Sequence, residues 1–145
     1  MAEWTLSTDP GRLDLDRVHG WLSGAYWSPG VRREIVERGF ANSVSIGAYA
    51  ADGRQLAVAR VVTDQATFAW LCDVFVDPGA RGRGIARAMV GALIDDPRLA
   101  TLRRWCLATR DAHDVYAPLG FAAVDPGLWM EHKPNSARWS SNVDG

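Results

Sequence analysis

Arginine and glycine alternate through "VDPGARGRGIARAMV", residues 76–90, where Arg81, Gly82, Arg83, Gly84 and Arg87 stand between an apolar run and an amphipathic one. Glycines let a backbone approach a ligand closely, and the start of a helix presents unpaired N–H groups at the positive end of its dipole. With the arginine charge added, this is the chemistry of a phosphate cradle. Two other cradles are excluded. "GARGRGIA" lacks the Lys-Ser/Thr of a P-loop, and "GRGIAR" follows a meander of antiparallel strands, whereas a dinucleotide fold places such a turn after the first strand of alternating strand-helix units.

Asp73 is the second candidate for chemistry. It is the odd residue in "TFAWLCDVFV", and a carboxylate in an apolar strand is costly unless something pairs with it. It can meet a substrate amine or a water, or it can form a structural pair with an arginine such as Arg60; both alternatives stay open.

Composition bounds the rest. A chain of 145 residues suits one domain, and 48% apolar with 23% charged residues is ordinary globular usage. Sixteen Lys and Arg against seventeen Asp and Glu leave a formal charge of -1, so any anion site is local, and two Arg-Gly repeats supply no extended track for nucleic acid. No apolar stretch approaches the roughly 20 residues needed to span a bilayer, and no basic start precedes an apolar run, so a cytoplasmic location without membrane contact is expected. Cys72 and Cys106 sit in apolar runs and read as small buried hydrophobes in a reducing compartment; the three histidines lack metal-ligand spacing, so no metal is expected.

The elements that must position the loop follow from periodicity and turn residues. A first strand covers Trp4 to Ser7; Leu15, Val18 and Leu22 recur at helical spacing behind Asp14, and Gly24 ends that helix. In "SPGVRREIVERGF", Ser28 is the expected N-cap, Pro29 the first helical residue and Gly39 the stop. "SVSIGAYA" and "QLAVARVV" form a hairpin about the Asp-Gly of "ADGR", and "TDQA" turns into "TFAWLCDVFV", a nearly unbroken apolar run expected of a central strand covered on both faces. A helix with Ile85, Met89, Ala92 and Leu93 on one side follows the glycine loop and ends at "DDPR". A strand is then expected over Arg103 to Thr109, a short helix through Tyr116, and last strands at "FAAV" and "LWMEHK"; from Pro134 the chain has the composition of a loose tail.

With that order in place, "RGRGIA" resembles the pyrophosphate loop [Q/R]xxGx[G/A] of the GNAT N-acetyltransferase superfamily, matched by Arg81, Gly84 and Ala86. "VYAPLGF", with Tyr116, Gly120 and Phe121, is similar to that family's Tyr followed by Gly-Phe. The resemblance covers roughly the first 133 residues and implies a single domain over 1–133 with a tail over 134–145. The implied fold is α+β, a GNAT-like (acyl-CoA N-acyltransferase) mixed central sheet of six to seven strands flanked by about four helices.

The resemblance implies acetyl-CoA as co-substrate, without metal. Its pyrophosphate is expected on the loop Arg81, Gly82, Arg83, Gly84, Ile85, Ala86 and Arg87, and its pantetheine beside Val74 and Val76, whose backbone groups would pair with it as another strand does. Tyr116 matches the family Tyr near the sulfur and is the candidate general acid, with Asp73 as a second catalytic candidate. The implied acceptor wall is the pair of early helices and their loop, where Trp21, Tyr26 and Trp27 could line an apolar slot and Glu34 attract a cation. Asp111 and His113 are candidates for orienting a water.

An amine of pKa near 8 is about one-tenth uncharged at pH 7, a lysine-like amine less than about one-thousandth, so the weak signal for a base tilts toward lower-pKa amines. The expected reaction is direct transfer of acetyl to a primary amine in a ternary complex, with a small-molecule or peptide acceptor, no nucleic acid or membrane partner, and possible homodimer formation. The alternative is a non-catalytic acyl-CoA-binding or regulatory module.

Overall fold

The Asp-Gly turn does join two strands: β2 (Val44–Ala50) and β3 (Gln55–Thr63) pair antiparallel, and the Asp52 carboxylate accepts from the Arg54 amide at 2.9 Å. The computed structural model describes residues 3–134. Around that hairpin the chain places β1 (Trp4–Ser7), α1 (Leu15–Ser23), α2 (Arg33–Ala41), β4 (Phe68–Val76), α3 (Ile85–Ile94), β5 (Arg104–Cys106) and α4 (His113–Tyr116). The strands lie in chain order, antiparallel except for the parallel pair of β4 and β5.

The sheet separates two apolar layers. On one face Ile85, Met89, Val90 and Leu93 of α3 pack on Ile46, Ala48, Ala57, Ala59, Val61, Ala69 and Leu71. Alanines at four of those strand positions keep the sheet surface low, so the helix seats closely. On the other face Val18 and Leu22 of α1 and Val36 and Phe40 of α2 pack on Val58, with Phe75 and Trp21 against them. Asp14 caps α1 by accepting from the Arg17 amide, and its own amide donates to the Gln55 side chain of β3, which fixes that helix on the sheet. Gly24 closes α1, as the sequence predicts.

Several expectations are corrected. The second helix starts at Arg33, not Pro29, because Gly30 takes a left-handed φ of 70°, which a right-handed helix running from Pro29 cannot contain; the Ser28 hydroxyl donates to the Leu22 carbonyl at 2.6 Å. Gly39 lies inside α2 and does not stop the helix, which runs on to Ala41 and closes at Asn42, whose amide donates to the Arg38 and Gly39 carbonyls. β5 spans three residues, not seven. Among the described residues the sheet has five strands, not six to seven. "FAAV" and "LWMEHK" form none; between them Asp125 closes a single turn over Pro126–Leu128. The tail lies outside the described residues beyond Pro134.

β4 also differs. Ala69 and Leu71 are buried under α3, but Phe68 and Trp70 on the opposite face are each 37% exposed, since α1 and α2 do not reach that end of the strand. Its apolar run is covered on one face and half open on the other. Among the described residues no helix is long and apolar enough to cross a membrane.

Tyr49 tests the packing of the hairpin. It is 1% exposed and folds over Gly47, where a Cβ would meet its hydroxyl at 2.6 Å, with the Arg12 guanidinium 4.1 Å from the ring centroid on its other side. Gly47→Ala is expected to lower stability by about 1–3 kcal/mol through overpacking, measured by urea unfolding; an unchanged midpoint would contradict this packing.

Candidate active site

β4 pairs with β5 only over Phe68–Trp70 and then runs on to Val76, so from Leu71 onward that edge has no strand partner among the described residues. A bulge sharpens the parting. Val58 pairs with Phe75 and Arg60 with Cys72, leaving Asp73 and Val74 together opposite Ala59, and Asp73 takes a left-handed φ of 54°. That conformation costs a non-glycine residue about 1 kcal/mol and reverses which faces the next side chains occupy: Val74 and Val76 join the α3 layer and Phe75 the α1 layer. A cavity of about 910 Å³ opens where the strands part, walled by β4, the loop into α3, residues 107–112 and α4.

The loop into α3 sits at the head of this cavity. Asp77 accepts from the Gly79 amide and sets a single turn over Pro78–Ala80. Gly82 and Gly84 then take φ values of 81° and 77°, and Gly84 opens α3 with no side-chain cap. The first bond of that helix runs from the Ala88 amide to the Gly84 carbonyl at 3.0 Å. No described residue accepts from the amides of Gly82, Arg83, Gly84, Ile85, Ala86 or Arg87. Successive free N–H groups at the positive end of a helix fit a diphosphate. Arg87 lines the cavity beside them. Arg81 lines it too, but its Nε donates to the Val76 carbonyl at 3.0 Å and its guanidinium stands 5.4 Å from the Phe75 ring.

Tyr116 closes the other end. It is 8% exposed, lines the cavity, and is held edge-on by Phe121, ring centroids 6.0 Å apart. The turn at Gly120 brings that phenylalanine back, with the Phe121 amide donating to the Tyr116 carbonyl at 3.3 Å. Burial, and secondarily the Tyr26 phenol, push the Tyr116 hydroxyl above its ordinary pKa, so at neutral pH it keeps its proton. Thr109 accepts from the Ala112 amide at 3.0 Å and shapes the entry to α4.

Asp73 sits at the centre of a polar knot on the cavity wall. One carboxylate oxygen accepts from the Arg60 Nε and the other from the Trp27 indole, both at 2.9 Å. Arg60 also donates to the Ser43 hydroxyl at 3.1 Å. The structure thus realises the pairing of Asp73 with Arg60 and ties the Trp27 loop to the bulge. Tyr26 stands edge-on to Trp27, centroids 5.0 Å apart; its hydroxyl accepts from the Arg110 amide, and the Arg110 guanidinium lies 3.8 Å from its ring centroid.

Of the sequence-derived candidates, Tyr116, Asp73, Val74, Val76, Arg81, Gly82, Gly84, Ile85, Ala86, Arg87, Tyr26 and Trp27 meet on this cavity. Asp111 lines it as well, and four candidates do not. Trp21 stacks on Phe75 in the α1 layer and donates to Asp77, Glu34 pairs with Arg32 outside the cavity, the Arg83 side chain is exposed away from the wall, and His113 is exposed at the start of α4. Trp70, Cys72 and residues 107–108 line the cavity without having been singled out from sequence; Trp70 was hidden inside a run that reads as core.

In this α+β fold an open strand edge thus runs into unengaged amides at a helix start. The model of the acetyltransferase (GNAT) family matches residues 10–121, and the chain belongs to that family. An inferred GNAT-family acetyltransferase from Xanthomonas campestris pv. campestris is 42% identical and superposes with a TM-score of 0.88 over 92% of this chain and 95% of that one. An inferred acetyltransferase of Gibberella zeae is 26% identical over 79% of this chain and 76% of its own length. The crystal structure of an inferred acetyltransferase from Clostridium acetobutylicum with acetyl-CoA shares the fold at 18% identity, with a TM-score of 0.67 over 92% of this chain and 96% of that one.

The polar knot makes a measurable prediction. Arg60→Ala strands a largely buried carboxylate and is expected to cost about 3 kcal/mol of stability. The double variant Arg60→Ala with Asp73→Ala should cost less than the sum of the single changes by about 1 kcal/mol or more. Additive losses in a urea-unfolding cycle would show that the two side chains act independently.

Proposed function

We propose that the protein transfers the acetyl group of acetyl-CoA to a primary amine by direct attack in a ternary complex, the acceptor being a small molecule or a peptide amine. The observation that carries this reading is the run of unengaged amides from Gly82 to Arg87 at the head of an open β4 edge, with a protonated Tyr116 in the same cavity. A family neighbour solved with acetyl-CoA supports the choice of donor.

Those amides, with Arg87, would hold the diphosphate, and the edge of β4 at Val74 would take the pantetheine arm. The donor supplies an activated acyl thioester; the chain supplies position and electrostatics. The amine lone pair attacks the thioester carbonyl, the C–N bond forms as the C–S bond breaks, nitrogen loses one proton and sulfur gains one.

In this reading Tyr116 would meet the developing thiolate. An ordinary phenol lies about 1.5 pKa units above a thiol, so complete transfer of its proton is uphill by about 2 kcal/mol, and burial widens that gap. Its contribution is therefore a hydrogen bond that strengthens as charge builds on sulfur. Asp73, with both oxygens engaged, holds Trp27 and the bulge in place, and the amine must arrive uncharged. A covalent route through Cys72 is disfavoured, since burial pushes its thiol up to about 11, leaving about one thiolate in ten thousand at pH 7.

The test is to incubate the purified protein with acetyl-CoA and a broad panel of amines while following free thiol. Amine-dependent thiol release is expected; coenzyme A binding with no release for any amine contradicts the reading. Tyr116→Phe is expected to lower kcat by about 100-fold and leave KM for acetyl-CoA within about two-fold. Wild-type kcat/KM should rise with pH as the amine deprotonates, without the decline below pH of about 10 that an ordinary or lowered phenol would bring. Full turnover by Tyr116→Phe would remove its role.

A further inference from the structure

Three aromatic rings on the cavity wall are left out of the core. Tyr26, Trp27 and Trp70 are 45%, 40% and 37% exposed and join neither apolar layer of the described residues, whereas their neighbours Trp21 and Phe75 do. Ring surface held in water forgoes the gain of burial, which a bound apolar body recovers.

Two of these rings are immobilised. Tyr26 is clasped by Arg110 from its face and at its hydroxyl, and Trp27 is fixed by its indole bond to Asp73 and its edge contact with Tyr26. Rings set before the ligand arrives lose little freedom on binding. Trp70 stands on the half-open face of β4, three residues before Asp73, about 10 Å along the strand from the point where Trp27 is anchored. All three rings line the same cavity.

The charges on the wall do not suit a polycation. Asp73 has both oxygens engaged, and Glu34 and Glu37 pair with Arg32 and Arg33 outside the cavity. Among the described lining residues, Asp111 is the carboxylate without an ion-pair or hydrogen-bond partner. A polyamine needs several carboxylates, where this wall offers exposed rings and a single unpaired acid.

We propose that the acceptor is a primary amine carried a carbon or two from a planar aromatic body, its ring seated between the Tyr26–Trp27 pair and Trp70, a proposal that rests on the acetyl-transfer reading above. Trp70, which lies in the apolar run of β4, is then a specificity-determining residue.

Calorimetric titration of the protein saturated with coenzyme A tests this without requiring turnover. The probes are phenethylamine and tryptamine, with hexylamine, spermidine and glucosamine as controls. The aromatic amines are expected to bind at least about ten-fold more tightly than hexylamine. Trp70→Ala should remove about ten-fold of that affinity, Trp70→Phe should restore most of it, and neither should change the affinity for coenzyme A.

Equal or tighter binding of spermidine or glucosamine, no binding of any amine, or unchanged aromatic affinity in Trp70→Ala overturns the proposal. Thiol release measured on the same panel separates the two levels. Release without aromatic preference leaves acetyl transfer standing and removes this acceptor class, whereas selective aromatic binding without release does the reverse.

Discussion

Peptide groups that the chain cannot satisfy by itself organise this molecule. Where α3 begins, two left-handed glycines turn the backbone so that the amides from Gly82 to Arg87 find no carbonyl or side chain among the described residues, and no Ser, Thr, Asp or Asn stands at Gly84 to cap them. In a solvent-exposed loop water satisfies such groups at little cost, so the arrangement is tolerable without a ligand and receptive to an anion. The apolar seat of α3 keeps those amides in place: Ile85, Met89, Val90 and Leu93 are essentially sealed against the sheet.

The parting of β4 and β5 follows from a related shortage of pairing. β5 is three residues long and pairs with the start of β4 alone, and the bulge at Asp73 turns the rest of β4. A bulge in a strand is held only when neighbouring contacts over-determine it. Here Arg60 and Trp27 each take one oxygen of the bulged carboxylate, and Arg60 reaches on to Ser43 beside Gly39. The same contacts that stabilise the bulge therefore carry the Tyr26–Trp27 loop to the cavity mouth, so strand irregularity and wall are one structure.

What could be read from the sequence was what depends on local chemistry. The glycine turn into α3 follows from glycines between an apolar run and an amphipathic one, the hairpin from Asp-Gly and the cap of α1 from Asp14, whereas Tyr116 entered only through the resemblance of its Tyr and Gly-Phe to the family motif. What escaped depends on tertiary context. Ser28 carries the right group for an N-cap, yet the left-handed Gly30 just after it breaks the backbone before a helix can begin. Gly39 signals a helix end, yet α2 runs through it to Ala41. The bulge breaks the alternation in β4, so no count of residues shows that Val74 and Val76 share a face with Leu71, and Trp70 reads as core until the extent of α1 and α2 is known. Trp21 and Glu34 were chosen by element, and the side of the helix each occupies decided against them.

Proton–nitrogen correlation spectra of uniformly nitrogen-15-labelled protein titrated with coenzyme A test the central claim most directly, because they report on the amides themselves. The largest shifts are predicted at Gly82, Gly84, Ile85 and Ala86, with the β2–β3 hairpin amides unmoved. Saturable binding that leaves those four signals in place would contradict the account.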